Sequence, residues 1–152
     1  MNEILNLLKL FVSQYEQSDM GKIGILQQTT DAELKKIISQ LDPRELQILG
    51  LFEINTDVSL KELPNSIGVS QASASRSAKK LEDLDLVVKH KTELNNKEWL
   101  LALTETGKQV SEIKIRADQK HQDKLNEIAK NYSAEQLQDL ADILRQIIQV
   151  DD

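Results

Sequence analysis

Two short β-prone runs, residues 86–91 and 97–103, interrupt a chain whose other apolar residues recur at helical spacing. The intervening TELNN, residues 92–96, supplies turn chemistry, so the two runs read as a hairpin. Directly before it lie two closely spaced helical segments. A lone hairpin behind a tight helical pair, in a chain with few other strand signals, restricts the choice of fold more than any other feature.

Caps punctuate the rest. Residues 2 to 17 carry Ile4, Leu5, Leu7, Leu8, Leu10, Phe11 and Tyr15 as the stripe of an amphipathic helix. SDMGKIGILQQTT, residues 18–30, holds two glycines and reads as a connection. Thr30 and Glu33 have capping-box spacing and open a short helix through Ile37, Ile38 and Leu41. Asp42-Pro43, with Glu45 behind it, starts the next helix, which runs to about Asn55. Residues 57–60 allow a small strand. Ser59 and Glu62 could cap a short helix that carries Leu63 and Ile67 and stops at Gly68. Ser70 caps a helix to about Leu84, Thr104 one to about Lys130, and Ser133 with Gln136 the last. In that last helix Leu137, Leu140, Leu144 and Ile147 share a face.

The order helix, short strand, helix, turn, helix, hairpin is that of a winged helix-turn-helix. The fold class is therefore mainly α, with a small β-hairpin wing and flanking helices. Residues 1–41 would form N-terminal helices of a dimerisation layer, 42–103 the winged-helix domain, and 104–152 C-terminal dimerisation helices. The long apolar stripes at both ends have little domain to pack against, which points to a second copy of the chain.

GVSQASASRSAKKLEDLDLV, residues 68–87, holds the residues of greatest interest. A helix with Ala74, Ala78 and Leu81 inward turns Ala72, Ser73, Arg76, Lys79 and Lys80 outward, with Gln71 and Ser75 at the margins. Small side chains at its exposed start would let the backbone approach a DNA major groove, about 12 Å wide. Ser70, Gln71, Ser73 and Ser75 offer hydrogen bonds, Arg76 a bidentate fork for guanine, and Lys79 and Lys80 phosphate contacts.

The segments SLKELPNSIGVSQASASRSAKKLEDLDLV and LALTETG, with the hairpin between them, resemble the multiple antibiotic resistance regulator (MarR) family of winged-helix transcription factors. The resemblance covers residues 42–107; beyond it the likeness is architectural. It implies a homodimer that binds a pseudo-palindromic operator as a repressor, relieved in many members by a small molecule. The family's wing tip carries an acidic residue followed by arginines. Here those positions are Asn95, Asn96 and Lys97, so the arginine attraction to a narrow minor groove is missing. Asp85 stands where glycine is common, and Pro64 where alanine is preferred inside a helix.

Composition excludes other classes. The chain has no cysteine, so disulfides and thiolate metal sites are ruled out. Its histidines are His90 and His121; His121 with Asp118 and Asp123 gives at best a partial zinc set, and the cluster reads as a solvated face. No nucleophile–base arrangement or phosphate loop appears, so neither an enzyme nor a cofactor is expected. Trp99 reads as packing the hairpin against the body. No leader or membrane span is recognisable, and the expected location is cytoplasmic. The net charge of −6 and a near-neutral balance between Lys61 and Glu98 leave an alternative: a winged-helix module that binds protein and has lost strong DNA binding.

Overall fold

The computed structural model describes residues 3–4, 6–8, 10, 19–91 and 98–149. Residues 3–4, 6–8 and 10 are helical. Then follow α1 (Asp19–Leu26), α2 (Ala32–Ser39), α3 (Pro43–Gly50) with a 3-10 turn at Leu51–Glu53, β1 (Asp57–Ser59), α4 (Leu63–Ile67) and α5 (Gln71–Asp83). The strands β2 (Val87–Lys91) and β3 (Trp99–Leu103) lead to α6 (Glu105–Ala129) and α7 (Ala134–Gln149). The fold is a winged helix with flanking helices, as the order of caps and β-prone runs requires. The turn at 92–96 and the wing-tip residues Asn95, Asn96 and Lys97 lie outside the described residues, as does the whole 11–17 stretch of the first amphipathic segment.

The chain divides into two compact units, Met1–Ala117 and Asp118–Asp152. In the first, Ile38, Leu41, Ile48, Leu49, Leu63, Leu81, Leu86, Leu101 and Val110 are fully buried and form one core. The second comprises the end of α6 and all of α7. Its Leu137, Leu140, Ile143, Leu144 and Ile147 are all exposed. Among the described residues no helix is long and apolar enough to cross a membrane.

Local chemistry explains most boundaries, and it corrects several expectations. The cap of α2 is Asp31 rather than Thr30: its Oδ1 accepts from the Glu33 and Leu34 N–H groups at 2.9 and 3.0 Å. A carboxylate one residue later reaches two orphan donors, which the Thr30 hydroxyl would not match. The stretch at 18–30 is not merely a connection, since 19–26 are helical despite Gly21 and Gly24. Burial of Ile25 offsets the glycine penalty of roughly 1 kcal/mol each. Pro64 sits in the first turn of α4, where no intrahelical N–H is needed, so it starts a short helix instead of kinking a longer one. Gly68 ends that helix at φ 67°. Ser70 caps α5 by accepting from Ser73 N–H, and Ser133 and Gln136 form the expected reciprocal box before α7.

The sheet has three strands, not two. Its order is β1-β3-β2, antiparallel throughout, with Val58 opposite Leu101 and Lys89 opposite Leu101 on the other side. On one face His90 Nε2 reaches across β3 to within 2.7 Å of Asp57 Oδ1. On the other, Val58, Val87 and Leu101 enter the core.

One corner ties the helices to this sheet. Asp85 adopts the left-handed conformation, φ 55°, between α5 and β2. Leu86 O accepts from Thr104 N–H at 3.1 Å, and Asp85 O accepts from Thr104 Oγ1 at 2.6 Å. The same Thr104 oxygen accepts from Gly107 N–H at 2.9 Å, capping α6. A Cβ on Gly107 would stand 1.8 Å from Leu86 O, so only glycine lets α6 come this close. Further along α6, buried Ser111 donates to Leu49 O at 2.8 Å. Gly107→Ala is expected to destabilise the chain by about 3 kcal/mol, the upper end for overpacking. Asp85→Gly should stabilise it by up to about 1 kcal/mol by relieving left-handed strain. Urea midpoints of the two variants check both signs.

Candidate nucleic-acid interface

The outward side of α5 is set by what its inward side buries. Ala74, Ser77, Ala78 and Leu81 are buried, and their spacing leaves Gln71, Ala72, Ser75, Arg76 and Lys79 exposed, with Ser73 half-buried. The Ser70 and Ser73 hydroxyls are 3.2 Å apart, and Arg76 Nη2 lies 3.4 Å from Ser73 Oγ. Among the described residues the Arg76 guanidinium makes no ion pair. Seryl hydroxyls, the Gln71 amide and an arginine fork therefore occupy one end of an exposed helix face, with Ala72 between them.

The lysines behave differently from the arginine. Lys79 Nζ sits 2.6 Å from Asp83 Oδ1 and 3.9 Å from Glu82 Oε2. The hydrogen bond that Lys79 donates to Asp83 raises its pKa above the ordinary lysine value. It remains on the exposed face, so this pair is open to exchange with a phosphate. Lys80 is not a fully outward residue. Its ammonium turns to the N-terminus of α3, 2.9 Å from Asp42 Oδ2 and 3.0 Å from Glu45 Oε2. Glu45 is only 3% exposed and also accepts from Asp42 N–H at 2.7 Å. The capping carboxylates of one helix thus hold the lysine of the next. The helical wheel of α5 alone could not show this, because it does not know where α3 begins.

Burial works against the Lys80 charge, but the hydrogen bonds to Asp42 and Glu45 outweigh it and lift the pKa above 10.5. For Asp42 the hydrogen bond from Lys80 is the main cause and lowers the carboxyl below 3.8.

A cleft of about 530 Å³ runs beside this face, lined by Leu60, Lys61, Gln71, Ser75, Lys89, Glu98 and Trp99. The expectation that Trp99 packs the hairpin against the body fails. Trp99 does share the strand face of Leu101 and Leu103, but it lies at the outer end of β3 and is 48% exposed. Lys91, its partner in register, holds Nζ 4.6 Å from the ring centroid. Lys89 pairs with Glu82 at 3.3 Å, and the Ser59 hydroxyl donates to Glu98. Sequence reasoning placed Lys89 and Lys91 on one strand face but did not bring Lys61, Trp99 and the margin of α5 together. The single tryptophan beside alternating lysines was the signal.

Residues 39–95 match the MarR family. That span holds α3 through β2, the ion-paired Lys80 and the whole of α5. Over the full chain, the structure is similar to the Adhesin competence repressor (AdcR) from Streptococcus pyogenes, with a TM-score of 0.71, 16% identity, and coverage of 97% of this chain and 93% of that one. It is also similar to the zinc-responsive MarR family member ZitR from Lactococcus lactis: TM-score 0.61, 16% identity, 74% and 77% covered. A ZitR variant solved in complex with DNA gives 0.63, 17%, 74% and 76%. No curated protein matches by sequence. Among the described residues no group of three or more His, Asp or Glu side chains is placed to hold a metal ion.

The latch between α3 and α5 makes a pH signature. Asp42, with its lowered pKa, stabilises the fold above the ordinary carboxyl value, and that contribution is lost as pH falls through its folded pKa. Lys80, with its raised pKa, stabilises below 10.5, and that contribution is lost as pH rises through its folded pKa. Lys80→Met should cost about 2 kcal/mol at neutral pH, discounted because the ammonium is partly solvated. The difference from wild type should shrink below pH 3.8 and above pH 10.5. Urea titrations across pH read it directly.

Proposed function

We propose that this chain is a sequence-specific, double-stranded DNA-binding transcriptional regulator of the MarR type, acting as a homodimer on a pseudo-palindromic operator. The observation that carries the reading is the exposed start of α5: small side chains, serine hydroxyls and an Arg76 fork not committed to any carboxylate among the described residues. Gln71, Ser73, Ser75 and Arg76 read base edges from the major groove, and Ser70, as the helix cap, fixes where that face begins. Lys79 exchanges Asp83 for a phosphate. Lys80 acts first as a positioning residue that fixes α5 against α3, and approaches the DNA backbone from there. Asn95, Asn96 and Lys97 supply the wing contacts. No catalytic residue, metal or cofactor is part of this reading.

The likeness to a fold solved with DNA, and to one named a repressor, supports repression over activation. A small effector between dimer layer and winged helix is what the family resemblance adds. The second copy is supported by α7, whose exposed Leu137, Leu140, Leu144 and Ile147 repeat at three- and four-residue intervals as a helix seam does. A second reading, a protein-binding module, draws support from the internal pairing of Lys79, Lys80 and Lys89, which reduces the cationic surface.

Arg76→Ala is expected to weaken binding to the preferred duplex by about 1–3 kcal/mol and to relax sequence preference, whereas Lys79→Ala weakens all duplexes alike. Competition binding against scrambled duplex checks this; Arg76→Ala binding as tightly and selectively as wild type would favour the protein-binding module. Leu140→Asp combined with Leu144→Asp should yield a folded monomer by sedimentation and abolish operator binding.

A further inference from the structure

We propose that the cleft between α5 and the outer end of β2–β3 seats a sugar–phosphate strand of duplex DNA, with the Trp99 indole as its floor. The inference rests on the DNA-binding reading and adds a contact surface that borders the recognition face and shares its marginal residues Gln71 and Ser75.

Four observations converge on it. Trp99 leaves about half its surface in solvent although its strand neighbour Leu101 is fully buried. A half-exposed indole offers a large flat apolar surface with a polar edge, the kind of side chain enriched at interfaces. Lys91 holds an ammonium over that ring, and Lys61 brings another from a separate element, while the Lys89 ammonium at the cleft is paired with Glu82. Among the described residues Lys61 makes no ion pair. On the third wall Gln71 and Ser75 offer an amide and a hydroxyl. Glu98 is the one acid among the lining residues, and it already accepts a hydrogen bond from Ser59.

A flat apolar plate ringed by cations and hydrogen-bond donors matches the alternation of a nucleic-acid strand. The C–H edge of a deoxyribose packs on the indole, while the flanking phosphates meet Lys61 and Lys91. Placement agrees with chemistry. When the exposed face of α5 lies in a major groove, the strand bounding that groove runs along the helix flank, and Gln71 and Ser75 are that flank. The contact carries no sequence information, so it adds equally to every duplex.

Trp99 is the chain's one tryptophan, so its emission reports this cleft alone. The test titrates the full-length protein with a labelled duplex of arbitrary sequence at low salt. DNA anisotropy and acrylamide quenching of the tryptophan are followed together, and the titration is repeated with Lys61→Gln and Lys91→Gln. The expected result is that bound duplex at least halves the quenching constant, and that each lysine variant flattens the plot of log K against log salt by about 0.9, one phosphate. A rise in anisotropy with unchanged quenching and unchanged slopes overturns the cleft and leaves DNA binding by α5 intact. No rise in anisotropy, from a folded dimer, overturns both.

Discussion

The approach of α6 to the corner at Asp85–Leu86 is the constraint on which the winged helix depends. There the exit of α5, the start of β2, the end of β3 and the start of α6 meet through two residues. Thr104 bonds to Asp85 O and Leu86 O while accepting from Gly107 N–H, and Gly107 leaves room for Leu86 O itself. Each polar group at the corner serves two elements. The angle at which α5 leaves the body, and the plane of the sheet beside it, are therefore set together. A loose corner would leave α5 and the wing to move independently.

The second fixed point is electrostatic. Glu45 is buried at the start of α3, and a buried carboxylate without a cation is costly. Lys80 meets that need, with Asp42 sharing its ammonium. α5 is thus held at its C-terminal half by the latch, at its end by the corner, and at its start by the Ser70 cap. What makes no ion pair among the described residues is the exposed side of the segment from Gln71 to Arg76, which is where base edges would be read. Rigidity at one end of the helix and available hydrogen-bonding groups at the other are the same design seen from two sides.

Much of this was legible in the sequence because it is local. Caps at Asp42, Ser70, Thr104 and Ser133 located four helices, and the LTETG segment marked the corner before its geometry was known. What was not legible depends on elements far apart in the chain. The pairing of β1 with β3 makes a two-stranded wing into a sheet, yet the three residues of β1 carry almost no periodicity. Lys80 reads as outward on its own helix and becomes a latch only because α3 starts beside it. Trp99 has the parity of a core residue, but parity does not tell the buried middle of a strand from its exposed end. The glycines in α1 hid a helix that burial of Ile25 makes worthwhile.

The central claim is that α5 reads duplex DNA, and the most direct test is selection of genomic fragments on the purified, dimeric protein, followed by a salt titration of the fragment enriched. The account predicts one recovered pseudo-palindrome whose affinity falls as salt rises, with a modest slope because several lysines are already paired within the protein. No enrichment at low salt, from a protein shown to be a folded dimer, would contradict it.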